Sequence, residues 1–466
     1  NINAAMDPNN EPIALAALKK ALALRATASP REQAYIDALA ERYSGKAEDR
    51  AARDKAYAAA MRKMYERFPD DLDAAALYAE SMMDLRPWGY WSRDGEPYEG
   101  TAEVVSVIEK VIERNPLHPG ALHLYIHLLE STEKVDKAEG AADRLLTLMP
   151  AAGHMVHMPA HIYQRVGRYA DAARSNELAI AADEDYITQC RAQGLYPMGY
   201  YPHNIHFLWF AASADGRSKL AIDSARKSAT KVDEAALKQV PLLAIFRVVP
   251  YYALTRFGKW DEMLNEPAPP TFSAYSTGVW HYSRGLAFVA KGQPDSAEQE
   301  LAKLKEVLKD PMLDQPLFSP NTGRAVLSIA PEVLAAEIAA AKKNYDEAIA
   351  HPDDPWLAIE DCAGDDLPLA QSRRLLDRTK QRCPAQRPAR CARAARPRRA
   401  PGALHGLRRH DAVAHVDGRR DEGDARPRRH EGHHDQHEHQ HVRRHRQRQH
   451  ERADDPQLQH LQLVLA

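Results

Sequence analysis

Histidine is the residue type in this 466-residue chain whose numbers and spacing suit chemistry. Residues 1–380 hold ten histidines, and eight of them lie between positions 118 and 206. They recur at fixed offsets. His123 and His127 shifted by 34 residues land on His157 and His161. His154 and His157 shifted by 49 land on His203 and His206, and Gly167 shifted by the same 49 lands on Gly216. Three columns result: His123, His157 and His206; His127 and His161; His154 and His203. Shifting His127 back by 47, which aligns the ERNP ending at Pro116 with the ERFP ending at Pro69, reaches Glu80.

Histidines four apart on a helix share a face, and packed helices lie about 8–10 Å apart. Pairs from two neighbouring helices can therefore converge on one divalent metal ion, with metal–nitrogen distances of about 2 Å. His123, His127, His157 and His161 are the strongest four for that role. His206 is within reach of the second pair, and Glu80 or Glu130 is available as a carboxylate. The identity of the ion is not fixed by these residues. A competing reading is a metal-free groove, lined by Glu80, His154, His203 and His206, that hydrogen-bonds a protein segment or a small-molecule ligand. A third lets the imidazoles fill helix interfaces. Two functional classes follow: a binding scaffold with a His-lined groove and, as the alternative, a metal-dependent enzyme using the His cluster. Neither names a reaction.

The elements that must position these residues are helices. Residues 1–361 are rich in Ala, Leu, Glu and Lys with apolar residues at i, i+3 and i+4, and no stretch alternates as a set of strands would. Ser29-Pro30-Arg31-Glu32 carries a helix start, with Ser as cap, Pro at the first turn and Glu placed for a capping box. One turn shape recurs: EKVDKA at 133–138, GRYADA at 167–172, GRSKLA at 216–221, GKWDEM at 258–263, GQPDSA at 292–297 and KNYDEA at 343–348. Pro116 and Pro150 each close an apolar helix, 34 residues apart.

The Gly-x-Tyr/Trp-x-x-Ala turns and the 34-residue spacing resemble the tetratricopeptide repeat (TPR), over roughly 65–350. HMPAHIYQRVGRYADA, followed by PHNIHF, is similar to a His-rich bacterial subgroup of such proteins. The resemblance implies an all-α, right-handed superhelix of stacked antiparallel hairpins, with first-helix positions lining a concave groove that holds the ligand. Ala172 and Ala297 suit close helix approach, and Tyr169, Trp260 and Tyr345 are expected between hairpins. Residues 1–64 are expected to form leading helices and 65–361 the array. Two aromatic insertions, at 86–100 and near 186–201, interrupt the period and are expected either to cap apolar edges or to cover one end of the groove.

Residues 362–466 are a different material. From 381 onward there are 19 Arg, no Lys and 11 acids, a net of +8, which leaves −10 for residues 1–380. Apart from Cys383 and Cys391, every residue there is one whose codons begin with C or G. That set has no folding logic and reads as frameshift-derived, the rival being a real Arg/His-rich tail that binds metal or polyanions; in either case too few large apolar side chains predict disorder. His430-Glu431-Gly432-His433-His434 matches HExxH but lacks the helical pattern the motif needs. Elsewhere there is no phosphate-binding or dinucleotide glycine motif, the acidic body argues against nucleic acid, and no apolar run reaches the ~18–20 residues of a membrane span. Cys190 alone in residues 1–361 excludes thiolate zinc sites and a disulfide framework. The compartment stays open.

Overall fold

The computed structural model describes Met6 and residues 8–92, 94–191, 196–318 and 321–350. All described residues belong to one compact unit. The expected disordered tail and its HExxH segment lie outside them.

The described part is all-α apart from one short antiparallel pairing of Pro316–Phe318 with Asn321–Thr322. Successive helices form antiparallel pairs: Pro159–Arg165 with Tyr169–Cys190, Tyr201–Ala214 with Ser218–Thr230, Ala244–Arg256 with Trp260–Asn265, Ala274–Ala290 with Pro294–Val307, and Ile329–Ala341 with Tyr345–Ala350. Each pair is joined by the recurring turn, and the turn has one geometry. Gly167, Gly216, Gly258 and Gly292 have φ of 79°, 76°, 65° and 72°, and Lys343 takes the same conformation at 67°. The next residue donates its N–H back to the helix: Arg168 to Tyr163, Arg217 to Ala212, Lys259 to Leu254, Gln293 to Phe288 and Asn344 to Ala339, at 2.7–2.9 Å. This is the closure in which a left-handed residue satisfies the orphan carbonyls of a helix end. Glycine adopts it without a Cβ penalty, which explains its recurrence.

The 133–138 turn differs. It is a 3-10 helix, Val135–Ala138, that leads directly into Glu139–Leu145. Position six of the turn is buried in each of the first five cases, at Ala138, Ala172, Ala221, Met263 and Ala297, where paired helices approach. Tyr169 is buried against Phe210 and Trp260 is partly buried, as expected, but Tyr345 is 61% exposed. Its hairpin is the final one of the described residues, and no described hairpin follows to cover it. Capping at Ser29 is as read: Ser29 accepts from Glu32 N–H while Glu32 accepts from Ser29 N–H. One large apolar cluster runs from Ala38 to Ala211, and a second from Val232 to Ala330. No helix among the described residues is long and apolar enough to cross a membrane.

Candidate metal centre

Six of the histidines come together as two triads. His123, His127 and His154 form one; His157, His161 and His203 form the other. Within each, one ring nitrogen from every member lies within 4.8 Å of the others. Each triad follows one rule. A pair four residues apart on one helix is closed by a single histidine from the next repeat. Pro119–Leu129 supplies His123 and His127, and Gly153–His157 supplies His154. His157 and His161 straddle the junction of Gly153–His157 with Pro159–Arg165, and Tyr201–Ala214 supplies His203.

That junction is a chemical necessity. Pro159 has no N–H for the helix ladder, and the chain compensates with a tighter bond from His161 N–H to the Met158 carbonyl at 3.2 Å. Met158 keeps helical dihedrals, so His157 and His161 still share a face. Gly153 starts the first segment against Asp183. A Cβ at Gly153 would sit 1.8 Å from Asp183 Oδ1, so only glycine fits there. Buried Asp183 accepts from Tyr196 Oη at 2.6 Å and Asn204 Nδ2 at 2.7 Å. It thereby ties together the three segments bearing His154, the 196–200 turn and His203. Burial raises its carboxyl above the ordinary value, against the pull of those two donors.

The ring orientations are fixed by hydrogen bonds on the nitrogens that face away from the triads. Asn176 Nδ2 donates to the Ala172 carbonyl at 2.8 Å, so its Oδ1 is the atom facing His157 Nδ1 at 2.7 Å. His157 Nδ1 must then carry the hydrogen. Glu130 places Oε1 at 2.8 Å from His127 Nδ1 and Oε2 at 2.5 Å from His161 Nδ1. A carboxylate accepts only, so both Nδ1 atoms carry hydrogens. The Nε2 atoms of His127, His157 and His161 are left as bare lone pairs. Burial alone would raise Glu130, but its electrostatic interaction with His161 and the hydrogen bonds from His127 and His161 hold its carboxyl well below the ordinary value.

These lone pairs converge. His157 Nε2 lies 2.9 Å from His161 Nε2 and 3.1 Å from His203 Nε2, and His123 Nε2 lies 3.1 Å from His154 Nε2. His127 Nε2 is buried with no hydrogen-bond partner. Three nitrogens at about 2.0–2.1 Å from one tetrahedral ion would stand about 3.3–3.4 Å apart. These three spacings are within about half an ångström of that, and all the nitrogens of a triad lie within 4.8 Å of one another. Burial pushes His154 down to about 3 and holds His123, His157 and His203 well below 6.5, so these imidazoles stay neutral. Neutral imidazole is the form that ligates metal.

The two insertions meet the triads. Trp91 Nε1 donates to the Leu128 carbonyl at 2.6 Å, pinning 86–100 to the end of the His123 helix. Trp88, held at φ 64° and half exposed, sets its ring edge-on to His127 at 5.1 Å. Tyr200 stands edge-on to His154 at 5.2 Å. Phe207 packs against all three rings of the second triad, at 4.6–4.7 Å.

Some candidates lie elsewhere. His206 does not join the second triad; its ring is buried against Trp209 and Phe246. Glu80 sits with Asp84 and Arg42, away from the rings, and burial followed by Asp84 raises its carboxyl. Glu130 orients two rings from behind, on their Nδ1 atoms. His118 caps the Pro119–Leu129 helix, accepting from Ala121 N–H at 3.1 Å. Asn176 and Asp183 went unnoticed in the sequence, although two buried polar residues seven apart on an otherwise apolar helix face are a readable signal.

No family model matches this chain, and no curated protein matches it. A crystal structure of the P58(IPK) TPR domain aligns over 76% of this chain and all of that chain, at 13% identity and a TM-score of 0.19. The described residues form an all-α array of helical hairpins joined by one recurring left-handed turn.

Proposed function

We propose that this solenoid is a metalloprotein, holding divalent transition-metal ions at its two histidine triads. The observation that carries the reading is the approach of His157 Nε2 to His161 Nε2 at 2.9 Å, when both Nδ1 atoms already hold their hydrogens. Two lone pairs at that distance repel unless a cation lies between them. A proton satisfies one such contact. A metal ion satisfies His157, His161 and His203 together. An all-imidazole set suits zinc, copper, nickel or iron, and three protein ligands with an open position mark sites that bind water or substrate. The ion would supply Lewis acidity there. The chain's own groups would orient the rings through Glu130 and Asn176 and shield them with Tyr200 and Phe207.

The partner is a small-molecule ligand or protein segment entering the groove beside Trp88, whose half-exposed ring borders the first triad. Metal content per chain tests the reading. The full chain is compared with His157→Ala/His161→Ala after purification without chelator, since both proteins keep the histidines of 362–466 and that background cancels. The double variant is expected to lose bound metal. Equal metal in the two proteins would return the triads to a metal-free groove.

A further inference from the structure

The two triads are not separated by protein. Across the boundary, the ring centroids of His127 and His161 are 6.2 Å apart, and those of His154 and His157 are 6.3 Å apart. Within single triads the spacings reach the same values, 6.2 Å for His127 and His154 and 5.9 Å for His161 and His203. Six imidazoles therefore make one continuous cage. Glu130 spans it from behind, one oxygen on each triad. A shift of this carboxylate toward one ring is a shift away from the other, so the orientation of His127 is mechanically linked to that of His161.

Charge sets the next requirement. Imidazole ligates metal as its neutral form, and Glu130 is the carboxylate in contact with these rings. Arg165, which donates to the Thr132 carbonyl at 3.2 Å, interacts with Glu130 and opposes even that charge. Two divalent ions in such a cage repel each other at short range and in a low-dielectric setting. An anion between them relieves that repulsion, and Glu130 is engaged on the far side of the rings, at their Nδ1 atoms. Paired metal ions in proteins stand about 3.5–4 Å apart, a span that one oxygen atom bridges.

We infer that the two triads form a single two-metal centre, and that the centre binds a small oxygen anion as a bridge. Hydroxide, from water that has given its proton to solvent, fills the position at rest; a phosphate or carboxylate group of a ligand displaces it. This rests on the metal-binding reading above and adds to it the coupling of the two sites and the ligand class. The first triad is closed from the repeat that supplies the second triad's pair, so neither is complete in a single hairpin.

Copper(II) in the full chain tests it, because two copper(II) ions sharing one oxygen bridge couple magnetically and vanish from the electron paramagnetic resonance spectrum. Parent protein is compared with His123→Gln/His154→Gln, with His161→Gln/His203→Gln, and with all four replaced. The parent is expected to bind about two more coppers than the fourfold variant, and those two are expected to be silent. In either double variant the remaining copper becomes visible in the spectrum and binds at least tenfold more weakly. Inorganic phosphate is expected to shift the optical spectrum of the copper-loaded parent and to leave both double variants unchanged. Two visible coppers in the parent, each lost independently in one double variant, would overturn the two-metal centre while leaving metal binding intact. Equal copper in parent and fourfold variant would overturn both readings. The two double variants are reciprocal and keep side-chain length, and circular dichroism shows whether each is folded. Misfolding of one leaves the other, with the parent's spin count, to decide.

Discussion

Residues 119–214 and residues 244–341 are built on the same hairpin and the same left-handed turn, yet only the first stretch gathers a cluster. In the later stretch, inward positions of the first helices carry Tyr252, Tyr275 and Tyr282. Burial raises these phenols, Tyr275 to about 12, so they remain protonated. The one histidine there, His281, gives Nδ1 to Glu300 at 2.6 Å. Glu300 also takes Lys303 at 3.2 Å and faces Arg284 at 3.7 Å, so the network is closed on itself. His157 begins the same way, with an acceptor on Nδ1, but its other nitrogen meets two more nitrogens. Burial and a partnered Nδ1 are common to both. Convergence of the remaining lone pairs is what sets the candidate site apart.

The largest expected effect that separates the regions is on bound metal. His157→Ala/His161→Ala should lower both metal content and the melting temperature measured with metal present, because a ligand bound only to the folded state stabilises it by mass action. His281→Ala should leave metal unchanged and cost about 1–3 kcal/mol in denaturant unfolding, through the buried Glu300 it strips of a donor. Metal loss in His281→Ala would erase the distinction.

Glycine substitutions give a smaller contrast. Gly216→Ala places a Cβ in open space but on a left-handed residue, a cost of about 1–2 kcal/mol with no change in metal. Gly153→Ala drives a Cβ into Asp183 Oδ1. Asp183 then has to leave Tyr196 and Asn204, and metal affinity should fall along with stability. Similar metal affinity in the two variants would show that Asp183 does not position the triads.

The pH response is smaller again. Burial pushes His154 and His206 down to about 3, whereas an unfolded histidine titrates near 6.5. The folded apo-protein then binds fewer protons than the unfolded chain between those values. This contribution is complete above pH about 6.5 and is lost progressively as pH falls toward about 3. Urea midpoints of metal-stripped protein should fall over that window, and His206→Leu should flatten part of the slope. An unchanged slope in His206→Leu would place the acid sensitivity elsewhere. The smallest effect is expected from Trp88→Ala: a half-exposed ring on a surface insertion contributes little to stability, so a ligand titration should move while the melting temperature stays nearly constant.

The hairpins were legible because a left-handed turn demands glycine and a close helix crossing demands a small residue, and both leave marks at fixed positions. Histidine offsets were legible for the same reason, being repeats of one helix register. Membership of the clusters was not. Equivalent register put His123, His157 and His206 in one column, but contact runs between a residue pair in one repeat and the residue three before the column position in the next. Seeing that requires the tilt between neighbouring hairpins, which spacing along the chain does not encode. Glu130 was readable as a nearby carboxylate; that it touches Nδ1 rather than the metal side depends on side-chain direction. Glu80 shares the register of His127 but belongs to a hairpin without a partnering histidine, since Gly120 stands where His154 and His203 stand in theirs.

His206 shares the register of His123 and His157. It occupies the opening position of a third triad, four residues before Phe210, and Phe246 of the following hairpin already lies against its ring at 5.7 Å. Moving 42 residues on from His203, as Gly216 moves to Gly258, reaches Ile245. A unit that takes one of its three histidines from the next copy of itself would grow by duplication: each added hairpin would complete the triad before it and open another. Phe210→His with Ile245→His would add a third triad to the two, opened by His206.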